Sequence, residues 1–223
     1  DLANFNAEIQ NNGILALGGF EMTWSGGPGH INTFNTPGLV SRNNTSLNSK
    51  SLDAGMKLYY ETLKNDALKD SVSQFNHPGK TFGTFSDFAH WDRDIDKQIT
   101  LIEVGNGEGQ IGADGYFPSY SEYTMALDKG WHVAPTNNQD NHKADSLSEA
   151  DLYKAMRERK VYATEDKNLS INYTVNDYVL GSIVEEKPAE VKIKAVISDP
   201  DTGNLGDKIA KVEVIGNSGT VVK

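Results

Sequence analysis

The sequence contains no cysteine. Disulfides and thiolate metal sites are therefore excluded, and any metal would be held by histidine, carboxylate or water. The absence leaves the compartment open, since bacterial surface proteins and cytosolic proteins both tolerate it. Positive charge is also scarce. Lys and Arg number 21 against 31 Asp and Glu, which gives a net charge of −10. Such a surface repels nucleic acid and anionic membranes. A bound cation reverses the field locally, so a phosphate ligand stays possible. There is no apolar run of the roughly 18 residues that a membrane-spanning helix needs, and membrane insertion is not expected. No signal peptide is visible. Histidine is sparse, with five in 223 residues, and none precedes His30.

What is present suits a folded chain. Hydrophobic residues make up 37% and charged residues 23%, enough for a core and too few charges for a disordered polyelectrolyte. The length allows one large domain, or one medium and one small. The opening "DLANFNAEIQ" reads as mid-helix and the closing "GTVVK" as strand, so both natural termini are expected to lie beyond this chain.

Residues 1–160 and 161–223 differ in pattern. In the first part, strand-length apolar runs at 14–20, 71–75, 99–104 and 131–136 alternate with helical patterns at 51–65 and 120–130. Leu52, Met56, Tyr59, Tyr60 and Leu63 share one helical face. Gly130 is placed to end the second helix. This rhythm predicts an α/β domain with a mainly parallel sheet. A helix over 146–160 follows, with Ser148 as its cap and Leu147 and Leu152 as a hydrophobic staple. Beyond Val161, period-two alternation at 169–176, 189–199 and 208–216, separated by turn signals, predicts a small antiparallel sandwich-like domain.

Ligand-type residues gather at the expected strand ends. The run 14–20 leads into Glu21, 71–75 into His77 and 131–136 into Asp140 and His142. In a parallel α/β sheet or barrel such ends converge on one face, where sites are built. Pro78 stops its strand and biases His77 to an extended backbone. His30, in the glycine-rich "GGPGH", can fold back over the same face. Each residue alone has an ordinary reading as a solvated or turn residue; coincidence of position is what singles them out. His90 and His132 read as structural, His132 as a satisfied buried residue within a strand. "DPDTGNLGD" lacks the ligands of a calcium loop, and "GNGEG" opens no helix and is no dinucleotide site.

Taken in order, "GFEMTWSGGPGHIN", "QFNHPGKTFGTFSDF", "LIEVGNG" and "HVAPTNNQDNHK" resemble the PHP (polymerase and histidinol phosphatase) superfamily, and most closely its secreted bacterial CehA/McbA-like branch. "RKVYATEDKNLSINYTVND" is similar to the start of the β domain that follows the barrel there. The resemblance implies a distorted (β/α)7 barrel followed by a small β-sandwich-like domain. It implies two or three divalent ions, Zn, Mn or Fe, that activate water to hydrolyse a phosphoester. Glu21 would bridge two ions, with His30 and His77 on one and Asp140 on the other. His142 would bind a third. Glu21 and Asp140 would be the catalytic residues, and Arg42, Asn138 and Lys143 would contact the substrate. The expected partner is a phosphorylated small molecule or polymer, not nucleic acid, and the expected location is extracellular or at the cell surface. The family's opening His-x-His pair and "TDH" histidine do not occur in this sequence, and Ala144 and Asp145 alone join "DNHK" to the "SLSEADLY" helix. The rival reading is a non-catalytic surface binding or adhesion module with a degenerate barrel. A nuclease is disfavoured by the net charge.

Overall fold

The computed structural model describes residues 18–24, 27–38, 47, 52–107, 117–138, 149–166, 168–200 and 208–223. Strand β1 (Gly19–Thr23) pairs antiparallel with β2 (His30–Phe34), and β2 pairs antiparallel with β3 (Val72–Asn76). Strand β4 (Ile99–Asn106) lies parallel to β3, and β6 (Ala134–Asn138) lies parallel to β4. The two-residue β5 (Phe117–Pro118) pairs antiparallel with the end of β4.

The register sorts side chains by face. Met22, Ile31, Phe75 and Ile102 are consecutive cross-strand partners, and each is fully buried. Each such side chain contributes roughly 1.5–3 kcal/mol of transfer free energy. They pack with Met56, Tyr59, Tyr60 and Leu63 of α1 (Leu52–Leu63) and with Trp131, Phe85 and Phe88. These four α1 residues lie on the helical face the sequence predicts. Tyr59 and Thr33 share a 2.5 Å hydrogen bond that ties α1 to β2, and burial pushes the Tyr59 hydroxyl far above its usual range. On the opposite face, Val72, Leu101 and Ala134 form a smaller core with Tyr153 and Met156 of α4 (Glu149–Arg157). The other two helices are α2 (Arg93–Asp96) and α3 (Tyr120–Asp128), with Gly130 at φ +95° just beyond α3.

Residues Phe85–Phe88 all adopt left-handed φ values between 52° and 56°. Such a turn costs about 1–2 kcal/mol per residue. Burial of both phenylalanines, a 3.0 Å bond from Trp131 Nε1 to the Phe88 carbonyl and a bond from Ser86 Oγ to Asp53 hold it in place.

These observations correct the expected (β/α)7 barrel. The sheet is mixed and open: among the described residues β1 pairs only with β2, β6 only with β4, and there are four α-helices. A hairpin is the reason. The few residues between β1 and β2 leave no room for the crossover helix a parallel pair requires, so β2 runs antiparallel. The expected loop at His30 is the first residue of that strand. The strand expected at 131–136 begins at Ala134.

The sandwich-like domain is corrected too. Strands β7 (Ser170–Val175), β8 (Tyr178–Val179) and β9 (Ile193–Ser198) form one antiparallel sheet in the order β8-β7-β9. Asn176 and Asp177, at φ 48° and 69°, make the two-residue turn between β7 and β8. Among the described residues, 208–216 joins no strand of that sheet, and Ile209 and Val212 stay exposed. Its end instead folds into a small hairpin closed at Ile215 and Val221. The Ser218 amide of that hairpin donates to Asp128 at the end of α3. Among the described residues no helix is long and apolar enough to cross a membrane.

Candidate metal centre

Register brings the site together. Thr23, His30 and Asn76 are cross-strand partners on one side of the sheet, and Glu21, Asn32 and Gln74 form the next row on that side. Glu21 therefore lies inside β1, diagonal to His30, rather than at a strand end. His77 follows β3 directly. The ligand atoms of Glu21, His30 and His77 all lie within 4.8 Å of one another. His30 Nδ1 is 2.9 Å from His77 Nε2 and 3.7 Å from Glu21 Oε1. Ligand bonds of about 2.0–2.2 Å place neighbouring donors at most about 4.4 Å apart, so both spacings suit one ion. This trio can hold a metal ion.

Each donor is braced. Asn76 Nδ2 donates to Glu21 Oε1 at 2.8 Å, Gln74 Nε2 donates to Asn76 Oδ1 at 2.9 Å, and Thr136 Oγ1 donates to Gln74 Oε1 at 2.9 Å. This chain of two amides and a hydroxyl, on β3 and β6, orients Glu21 of β1. His77 is braced from beneath by Glu103, whose Oε2 accepts the His77 main-chain N–H at 2.6 Å and lies 3.0 Å from His77 Nδ1. Its Oε1 accepts from Asn138 Nδ2 at 2.7 Å and Asn106 Nδ2 at 3.1 Å. Two bonds from one residue to one carboxylate explain the His77 backbone, which stands at φ 28° instead of the extended conformation expected before proline. Such a conformation costs about 1–3 kcal/mol and persists where the surroundings over-determine it.

Phe82 lies against both imidazoles, its ring centroid 5.2 Å from His30 and 4.5 Å from His77. The tight 79–83 turn that presents it is closed by two hydrogen bonds between Gly79 and Gly83. Gly83 stands at φ +107°, and a Cβ there would meet the Pro28 carbonyl oxygen at 2.2 Å, so this position requires glycine.

Of the residues expected from sequence, Glu21, His30 and His77 meet. Asn138 donates from Nδ2 to Glu103 Oε1 at 2.7 Å. Arg42, Asp140, His142 and Lys143 lie outside the described residues. His132 is exposed, not buried in a strand, and is satisfied by Asp96, which accepts its backbone N–H at 2.7 Å and lies 2.6 Å from its Nδ1. His90 Nε2 lies 3.3 Å from Asp53 Oδ2, away from the trio. Sequence reasoning overlooked Glu103, Asn76, Asn106 and Gln74. A signal for Glu103 was there: a lone acid inside the apolar "ITLIEV" must find partners if its strand is buried.

No family model, curated protein or solved structure matches the chain.

Proposed function

We propose that the chain is the metal-binding part of a divalent-metal-dependent hydrolase, and that its substrate is a phosphoester. The observation that carries the reading is the asymmetry of the donor trio. The His77 side chain is only 6% exposed, whereas those of His30 and Glu21 are 21% and 35% exposed. His77 anchors the site from the interior, and its open side faces solvent, as a catalytic site with a free coordination position requires. Bound there, a divalent ion supplies Lewis acidity that polarises a phosphoryl oxygen and acidifies water. Zn, Mn and Fe all suit two imidazoles and a carboxylate.

The protein's own groups do the rest. Asn76 keeps the Glu21 carboxylate turned toward the histidines, and Phe82 limits rotation of both rings. Glu21 is the one carboxylate of the trio, and in this reading it would accept a proton from water at the open side. The resemblance to PHP hydrolases favours a phosphoester over other esters, and it favours further ions held by Asp140 and His142. A positive ion also gives this acidic chain a local anion site.

The test is metal analysis of the full-length protein by ICP-MS, together with turnover of bis-p-nitrophenyl phosphate before and after chelation. Retained Zn, Mn or Fe near stoichiometry, with turnover lost on chelation and restored by metal, is the expected result. Full-length protein that takes up none of these metals and turns over no ester overturns the reading and leaves a binding module.

A further inference from the structure

Glu103 is 2% exposed and sits in the middle of the central strand, where an unpaired carboxylate would be costly. Four donor groups converge on it: the His77 main-chain N–H, the His77 ring, and the amides of Asn106 and Asn138. They come from the ends of β3, β4 and β6, so the carboxylate joins the three parallel strands behind the metal trio.

The His77 ring has two possible neutral forms, and this environment selects between them. Nδ1 lies 3.0 Å from Glu103 Oε2 and 3.2 Å from Asn106 Nδ2. Glu103 accepts the His77 main-chain N–H at Oε2 and two side-chain amides at Oε1, so an unprotonated Nδ1 would set its lone pair against an oxygen that already serves as an acceptor. With Nδ1 protonated, the ring donates to Oε2, and Asn106 retains Glu103 Oε1 at 3.1 Å as its acceptor. The Nδ1–H form therefore wins. Its consequence lies across the ring: Nε2 keeps its lone pair, and that atom faces His30 and the metal position. A carboxylate on the far nitrogen also makes the imidazole a stronger donor.

We propose that Glu103 is a positioning residue that fixes His77 as the Nδ1–H tautomer, so that Nε2 is presented as a metal ligand before any ion arrives. The proposal rests on the metal reading above, but its first test does not. Long-range proton–nitrogen NMR of the metal-free protein, at a pH where the imidazole is neutral, reports which ring nitrogen carries the proton. Wild-type His77 is expected to show protonated Nδ1 and unprotonated Nε2. Protonated Nε2 in the wild type overturns the proposal.

The second test is Glu103→Gln, which keeps the volume but turns an amide against two amide donors. The variant is expected to lose the single tautomer and to bind Zn(II), in competition with a chromophoric chelator, about 10–100-fold more weakly. Glu103→Asp is expected to recover part of that loss. A residue acting only on stability would shift the thermal midpoint in Glu103→Gln while tautomer and affinity stayed as in the wild type, and that result also overturns the proposal. The wild-type spectrum needs no variant, so a Glu103→Gln protein that fails to fold leaves the proposal falsifiable. Wild-type protein that binds no Zn(II) removes the proposed function, and the tautomer measurement still decides the role of Glu103.

Discussion

His30 Nδ1 and His77 Nε2 face each other at 2.9 Å, although the two residues are 47 positions apart in the chain. The pairing of His30 with Asn76, the neighbour of His77, brings them there. With His77 Nε2 unprotonated, His30 supplies the proton of this contact, and an ion would replace that proton between the two nitrogens. His30→Ala and His77→Ala are each expected to weaken metal binding by more than the roughly 10–100-fold that outer-shell substitutions cost. His90→Ala, away from the trio, is expected to bind as the wild type does. Chelator competition measures all three, and a His77→Ala protein with wild-type affinity would falsify the site.

Asn76 separates positioning from folding. It is 3% exposed and holds Glu21 with one end of its amide and Gln74 with the other. Asn76→Ala removes both bonds and leaves Glu21 free to swing toward solvent. Metal affinity is expected to fall about 10-fold, within the outer-shell range. Stability is expected to fall by about 1–3 kcal/mol, the cost of leaving a buried partner unsatisfied. Calorimetry with and without metal separates the two effects, and unchanged affinity would remove Asn76 from the site.

The gathering of Glu21, His30 and His77 was legible in the sequence; the route by which they gather was not. Strand-end reasoning supposes parallel strands, and the polar residues of "QFNHPG" fit it. His30, by contrast, reaches the site on an antiparallel strand, "HINTF", whose mixed polar and apolar residues look like loop until both neighbouring strands are known. The α1 face was readable because helical period alone fixes which side is buried. The segment 208–216 shows the opposite limit. Its alternation is as regular as that of β7, yet a strand needs a partner edge, and alternation carries no information about partners. Glu103 was passed over because a single letter in an apolar run does not say which donors will meet it.

Gly55 is required by close packing of α1, not by backbone conformation. A Cβ at this position would lie 2.2 Å from the Leu47 carbonyl oxygen and 2.9 Å from Trp24 Nε1. Those two atoms make a 2.5 Å hydrogen bond of their own. Gly55→Ala gains about 1 kcal/mol of helix propensity. Overpacking costs about 1–3 kcal/mol, and disturbing the indole bond costs about 1 kcal/mol more. The variant is expected to be less stable by about 1–3 kcal/mol, read from its urea midpoint. A midpoint above wild type would show that α1 does not approach Leu47 and Trp24 so closely.

Asp92 gives the fold a dependence on acid that is independent of the metal centre. Its Oδ1 accepts from the Asp94 and Ile95 amides at 2.9 and 3.1 Å, capping α2, and its Oδ2 accepts from Lys64 Nζ at 3.0 Å. Partial burial pushes its pKa up, but the Lys64 bond and the two amides outweigh this and hold it below the ordinary carboxylate value. A depressed folded-state pKa means that the stabilisation is fully present above the unfolded value of about 3.9 and is lost as pH falls through the folded value. The carboxylate is partly solvent-exposed, so the ion pair is screened and the cap supplies most of the effect. Asp92→Ala is expected to cost about 0.5–2 kcal/mol at neutral pH. The gap between variant and wild type should narrow as pH drops below about 4. Urea denaturation across that range tests it, and a gap that stays constant down to the acid limit would mean that Asp92 stabilises α2 without its charge.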